Sequence, residues 1–468
     1  MNLLTRCKGA CIALVLCVVV LLTFVIGSSA LPRIVPDMAR APSAPVQLDG
    51  IHGPLSAEHS KAILDRLKST GAETNIFDAH LAIEESVAGS PLTEGNKVDL
   101  LQDGPTTYQS MIKAIEAARD HINMETYILD DDEVGQRFAA ALIAQQHKGV
   151  QVNLIRDSVG TLGTPSAFFS RLTEAGIKVL EYHPINPVTA KAGWDVNQRD
   201  HRKLLIVDGR IAFLGGINIS SVYSGGSFST HSKTRPTGDL PWRDTDLRIE
   251  GPVVADLQKL FIGTWTAQKG EPLAPRHYFP PQERKGTEVI RAIGSSPDEP
   301  FSLIYATLIS ALHSAQTEIW LTNAYFVPDP QLLAALKEAA ARGVDVKLVL
   351  PSSTDSWLVF HAGRAYYSEL LEANVKLYER RDALLHVKTA AIDGVWSSVG
   401  STNLDWRSFV HNDEVNAVVL GTGFGKKMQA AFMADLAKSN EIKLETWQRR
   451  SLAVRAKEQM ARLWEYWL

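Results

Sequence analysis

The chain has 468 residues, with 48 basic against 52 acidic side chains and a formal charge of −4. Hydrophobic residues are 45% and charged residues 21%, which excludes a mainly disordered or collagen-like chain. The near-neutral balance lacks the basic domain that marks nucleic-acid binders, and all three cysteines (Cys7, Cys11, Cys17) precede the body, leaving it no disulfide, zinc site or thiol nucleophile.

The first element is an apolar run, Ala10 to Ile26, preceded by Arg6 and Lys8 and followed by Gly27, Ser28, Ser29 and Ala30. That order reads as a secretory signal peptide cleaved after Ala30, or equally as an uncleaved membrane anchor over residues 1–30. Either reading exports the rest of the chain. Residues 31–90 read as a tether and N-terminal extension, rich in Pro, Ala and Ser as far as Pro54, with the folded part beginning between Ile63 and Val98.

From there the sequence repeats. A helix pattern at Met111–Arg119 leads into a strand pattern at Ile122–Ile128, and Leu308–Ala315 leads into Ile319–Phe326 in the same way. Lys148–Ile155 and Arg342–Val349 each stop a helix at glycine and start an alternating strand. Phe168–Leu180 matches Tyr366–Tyr378. The period, roughly 190 residues, is too long for a solenoid unit. Two duplicated α/β domains are predicted, over 91–275 and 285–468, each a mixed, mostly parallel sheet flanked by helices and joined through Pro272–Pro281.

The chemistry recurs at matching places. Asp200-His201-Arg-Lys203 leads to Asp208 and then Gly215-Gly216-Ile-Asn218; His386-Val-Lys388 leads to Asp393 and then Gly400-Ser401-Thr-Asn403. Both read H-x-K-x4-D-x6-G-[GS]-x-N. On a strand, residues two apart share a face, so each copy presents an imidazole beside an ammonium. That set suits a phosphodiester. Lys203, Lys388, Asn218, Asn403 and Ser401 offer charge and neutral donors to phosphate oxygens. One histidine can attack phosphorus while the other protonates the departing alcohol. The lysines supply the neutralisation a divalent ion provides elsewhere, so neither metal nor cofactor is expected. Aligning Asp244–Gly251 with Glu414–Gly421 puts Asp244 opposite Glu414, and these carboxylates are expected to orient the histidines. Asp208 and Asp393 belong to the catalytic motif, though their positions suit tying down a hairpin. His411 reads as a loop histidine, and Glu125 and Tyr325 as framework or substrate contacts.

At these residues the chain resembles the phospholipase D superfamily with its two HKD motifs, and within it the bacterial cardiolipin synthases. Asn197–Lys203, Trp242–Thr245, Arg248–Val253, Tyr325–Asp329, Gly363–Glu372 and Asn403–Phe409 carry the resemblance, which covers residue 98 to the C-terminus. It implies two phospholipase D-type domains related by a pseudo-two-fold, with the active site between them. It further implies phosphatidyl transfer between two phosphatidylglycerol molecules, with His201 as nucleophile and His386 as general acid. The chain departs from the family in having one N-terminal apolar segment where the synthases carry two spans. The implied location is the outer side of a bacterial inner membrane, or secretion if the segment is cleaved. A phospholipase D hydrolysing the same lipid and an exported phosphodiesterase or nuclease use the same motifs. Arg449, Arg450, Arg455, Lys457 and Arg462 accompany Leu452, Met460, Leu463, Trp464 and Trp467 near the C-terminus, reading as a basic amphipathic helix on anionic lipid or as a packed helix. Trp357, Leu358 and Phe360 are candidates for a lipid entrance or for core.

Overall fold

The computed structural model describes residues 33–37, 44–70, 74–87, 89–185, 195, 197–224 and 240–468. The apolar run with its signal-or-anchor reading lies outside the described residues.

One turn organises each half. The strand after the His-x-Lys pair reverses at Asp-Gly: Asp208 and Gly209 have φ of 53° and 60°, Asp393 and Gly394 of 52° and 64°. Positive φ at both central residues is the primed hairpin turn that matches strand twist, and Asp-Gly is among the few pairs that adopt it without strain. The hairpin then builds a sheet. In the first half the strands lie in the order Leu92–Leu101, Asp246–Glu250, Ile211–Gly215, Leu204–Val207, His121–Thr126, Gln151–Asp157 and Lys178–Tyr182. In the second the order is Glu288–Ser295, Asn412–Leu420, Trp396–Gly400, Lys388–Ile392, Glu318–Asn323, Asp345–Pro351 and Lys376–Arg380, extended by Ser439–Ile442.

Both sheets are therefore mixed, but the parallel part is smaller than the helix-strand alternation predicts. Only the last three strands of the first half, and their counterparts in the second, run parallel to one another. Parallel neighbours need a crossover, whereas the motif strands are joined by a tight turn. Helices Gly104–Ala117 and Glu133–His147 start at Asp103 and Asp132, whose carboxylates accept the orphan N–H groups of the first turn; Ser302 and Asp329 do the same in the second half.

The halves meet in two ways. Glu288–Ser295 runs antiparallel to Leu92–Leu101, joining both sheets edge to edge. Each half also lends a short strand to the other: Arg199–Asp200 pairs with Asn412–Asp413, and Trp242–Arg243 with Leu384–Leu385. These exchanged pairings lead directly into the two motifs.

The extension is the chief departure from the sequence reading. Where described, residues in the 31–90 range are folded, adding a strand at the edge of the first half and a cover to the core of the second. Leu48–Gly50 pairs with Leu92–Leu101, and Ile34, Val35, Ile63, Ile76, Phe77 and Leu81 are buried in one cluster with Ile304, Leu308 and Leu312. Helix Leu303–Ser314 is buried on nearly every side. A helix with apolar residues on every side needs a cover on its outer face, and the extension provides it.

Candidate active site

The motif residues come from strand ends that the sheet pairing brings to one place. His201 follows the exchanged strand Arg199–Asp200, and its N–H donates to the Asp413 carbonyl at 2.9 Å. His386 follows Leu384–Leu385, and its N–H donates to the Arg243 carbonyl at 2.8 Å. Each histidine is thus fixed by the opposite half.

The carboxylates cross over too. His201 Nδ1 lies 3.0 and 3.1 Å from the two Glu414 oxygens, and His386 Nδ1 lies 2.6 Å from Asp244 Oδ2. Glu414 and Asp244 are buried. A carboxylate on Nδ1 fixes ring orientation and leaves Nε2 as the nitrogen available for chemistry. Lys203 Nζ donates to the His201 carbonyl at 2.5 Å, and Lys388 Nζ sits 2.9 Å from His386 Nδ1. Aromatic walls surround the pair: Tyr127 is edge-on to His201 at 5.1 Å, and Trp242, Tyr223 and Tyr325 stand 5.1, 5.8 and 6.0 Å from His386.

Burial sets the charge state. It drives the His201 imidazole well below its ordinary 6.5, helped by the ammonium groups of Lys203 and Lys388 and by His386. His386 is lowered by burial and then by Lys388, against the pull of Asp244. Burial also lowers Lys203 to about 7 and Lys388 to about 8, and raises Glu414 to about 7. Burial first, and then mutual repulsion, disfavour protonation of these four basic groups despite the two carboxylates beside them.

The other motif residues take different places. Asp208 and Asp393 sit five residues beyond the lysines, about 16 Å along an extended strand, away from the histidines. The Asp208 carboxylate accepts the N–H groups of Arg119, Asp120 and His121. Asp393 accepts those of Gln316, Thr317 and Glu318, and the Thr74 hydroxyl at 2.6 Å. Both pin the start of the neighbouring strand, which is the hairpin-tying position the sequence expects of them. Ser401 is likewise engaged: its hydroxyl donates to Glu414 and accepts the Val415 N–H at 3.0 Å. Asn218 donates to Tyr223 Oη at 3.0 Å and accepts the Ile128 N–H at 3.1 Å, so it holds a wall of the site. Asn403 differs from these two in having a buried amide oxygen without a hydrogen-bond partner, an acceptor rather than a phosphate donor.

Sequence reasoning missed the network behind His201. Arg202, on the opposite face of the strand, bonds to the Glu414 and Ser295 carbonyls at 3.1 and 3.2 Å and to Thr264 Oγ1 at 2.6 Å. Glu125 and Asp413 stand 3.8 and 3.7 Å from its guanidinium. Burial raises Glu125 to about 7, and burial together with Glu125 and Asp413 pushes Asp200 well up. Glu125 is therefore framework. Tyr325 donates to Asp355 Oδ1 at 2.5 Å, and the His411 carbonyl accepts the Arg199 N–H at 3.2 Å across the halves. The one legible signal for Arg202 was its place inside the motif.

Residues 111–224 and 308–436 match the family described as cardiolipin synthase, PLD-like domain. A cardiolipin synthase of Geobacillus sp. (strain WCH70) is 36% identical over 386 residues, covering 82% of this chain and 74% of the relative. One from Listeria welshimeri serovar 6b is 35% identical over 378 residues, covering 80% and 76%. In fold, the chain is similar to the crystal structure of phosphatidylserine synthase from Haemophilus influenzae Rd KW20, with a TM-score of 0.61 at 14% identity, over 82% of this chain and 99% of that one. Paired motifs, a duplicated sheet and relatives alike over most of its length lead to one conclusion: the chain belongs to the cardiolipin synthase family of phospholipase D-like proteins.

Proposed function

We propose that this cardiolipin synthase-like phosphatidyltransferase joins two phosphatidylglycerol molecules, releasing glycerol, through a phosphohistidine on His201. The observation that carries this reading is the crossed pairing of each histidine with a buried carboxylate of the other half. His201 Nε2 attacks phosphorus, a P–N bond forms, and the P–O bond to glycerol breaks as His386 gives its proton to the leaving oxygen. His386, now neutral, takes the proton from a hydroxyl of the second phosphatidylglycerol, whose oxygen attacks phosphorus and frees His201. The lysines hold the non-bridging oxygens. The phosphodiester charge offsets the repulsion that holds the free site's cations down, so binding itself prepares His386 as an acid.

Among the described residues, no helix is long and apolar enough to cross a membrane. The proposed setting is the outer face of a bacterial inner membrane, held there through the N-terminal segment and the surface of the second half. Incubation of the purified chain with labelled phosphatidylglycerol tests the reading. Cardiolipin plus glycerol is expected; phosphatidic acid alone would establish hydrolysis, and nucleic-acid cleavage without lipid turnover would overturn phosphatidyl transfer.

A further inference from the structure

The C-terminal helix Leu452–Arg462 is turned inside out. Its inward face carries charge: Glu458 is fully buried and accepts from Arg450 Nε at 2.9 Å, and just beyond the helix Glu465 is 5% exposed and accepts from the Tyr366 hydroxyl. Its outward face carries an apolar stripe beside the exposed Lys457 and Gln459. Leu452, Ala456 and Met460 follow one another at four-residue spacing, with Leu452 80% and Met460 65% exposed. The stripe continues through Trp464 and Trp467, the latter 54% exposed. Helix Trp357–Arg364 packs beside it and adds Trp357, 56% exposed. Exposed Arg449 and Lys457 lie at the margin.

Burying two carboxylates while exposing Leu, Met and Trp runs against the ordinary partition of side chains in water. An apolar stripe with amphipathic tryptophans and flanking cations is what a helix lying in a bilayer interface presents. The flanking cations are complemented by an anionic lipid surface. Position supports the same partner. Trp357 follows Asp355, which accepts from Tyr325 beside His386, and at the other end Tyr466 packs on Trp406 while the Leu468 carbonyl accepts the Arg407 N–H at 2.9 Å. The stripe is tied at both ends to loops around the two histidines. We propose that this surface docks the second half onto an anionic bilayer and presents the site to its lipid. The phosphatidyl-transfer reading explains why docking matters, while the surface itself stands on exposure and charge.

The test uses the full chain and the variant Leu452→Ser/Met460→Ser/Trp467→Ser, whose altered side chains point to water. Turnover is measured on phosphatidylglycerol in mixed phosphatidylcholine vesicles and on a short-chain, water-soluble phosphatidylglycerol. Amide hydrogen exchange of residues 357–364 and 452–467 is followed with and without the vesicles. The expected result is at least a ten-fold loss on vesicles, a short-chain rate within two-fold of wild type, and vesicle-dependent slowing of exchange in both segments of the wild type alone. Unchanged vesicle turnover, or an equal loss on both substrates, would overturn docking. Vesicle-independent protection that disappears on dilution would assign the surface to self-association. If wild type turns over neither lipid, the transfer reading fails and the exchange data decide docking alone.

Discussion

The two halves share a topology strand for strand, yet the two histidines live in different surroundings. Asp244 is one methylene shorter in reach than Glu414, and the second residue of each Gly-Gly or Gly-Ser pair matches its acid. A Cβ on Gly216 would collide with the Asp244 carboxylate, whereas Ser401 fills the same motif position and hydrogen-bonds Glu414. Behind His201 stands Arg202 with its buried acids, where the second motif has Val387. Around His386 stand three aromatic rings. Conserving the sheet while diverging the surroundings is what two groups with distinct tasks, attack and proton transfer, require.

The largest expected effect breaks that division of labour. His201→Ala and His386→Ala are each expected to lower turnover by at least ~10³-fold, because either removes a group that forms or cleaves a bond. Normal activity in either variant, measured on labelled phosphatidylglycerol, would contradict paired-histidine chemistry. Next comes Gly216→Ser, which pushes Asp244 off His386 and should cost roughly 10–100-fold in kcat. Adding Asp244→Glu recreates the Ser–Glu pairing of the second half and should recover part of the loss; a double variant no better than the single would break the comparison.

A stability effect follows. Asp393→Ala strands the N–H groups of Gln316, Thr317 and Glu318, at an expected cost of about 3 kcal/mol. Denaturant midpoints should fall for Asp393→Ala and Asp208→Ala alike, with kcat of the folded fraction largely kept. A kcat loss without a stability loss would return these residues to the catalytic group.

The pH dependence is gentler. In the free site Lys203 titrates near 7 and Lys388 near 8, and a bound phosphodiester anion favours their charged forms. The complex then holds more protons than the free protein, so affinity for an inert phosphodiester should be strongest below about pH 7 and weaken progressively above about pH 8, with proton uptake visible by calorimetry in two buffers. Affinity rising with pH would reverse the sign. Smallest of all, a chelator should leave turnover within about two-fold, since lysines carry the charge neutralisation; loss restored by added metal would contradict this.

Much of the site was legible because it occurs twice. Identical spacing singled out His201, Lys203, His386 and Lys388, and the weaker repeat pointed to Asp244 and Glu414, whose carboxylates lie against the histidine Nδ1 atoms. That each acid serves the opposite histidine was not legible, since it depends on the strand exchange at Arg199–Asp200 and Trp242–Arg243, pairings only two residues long. The hairpin-tying position of Asp208 was legible from the motif; its left-handed turn and three backbone partners appear only in three dimensions. Ser401 and Asn218 have the right chemistry for phosphate, but neighbouring side chains already engage them. The extension was read as a tether from its composition, although helix Leu303–Ser314, buried on nearly every side, required a cover.

Rapid quenching of the His386→Ala variant with phosphorus-labelled phosphatidylglycerol tests the paired-histidine chemistry most directly. His386 serves both half-reactions, so a transient label in the wild type, and a slowly formed and slowly resolved one in the variant, is expected: acid-labile, base-stable and mapping to the peptide carrying His201. Transfer that proceeds in wild type with no covalent label in either protein, or a label on a residue other than the two histidines, would contradict it.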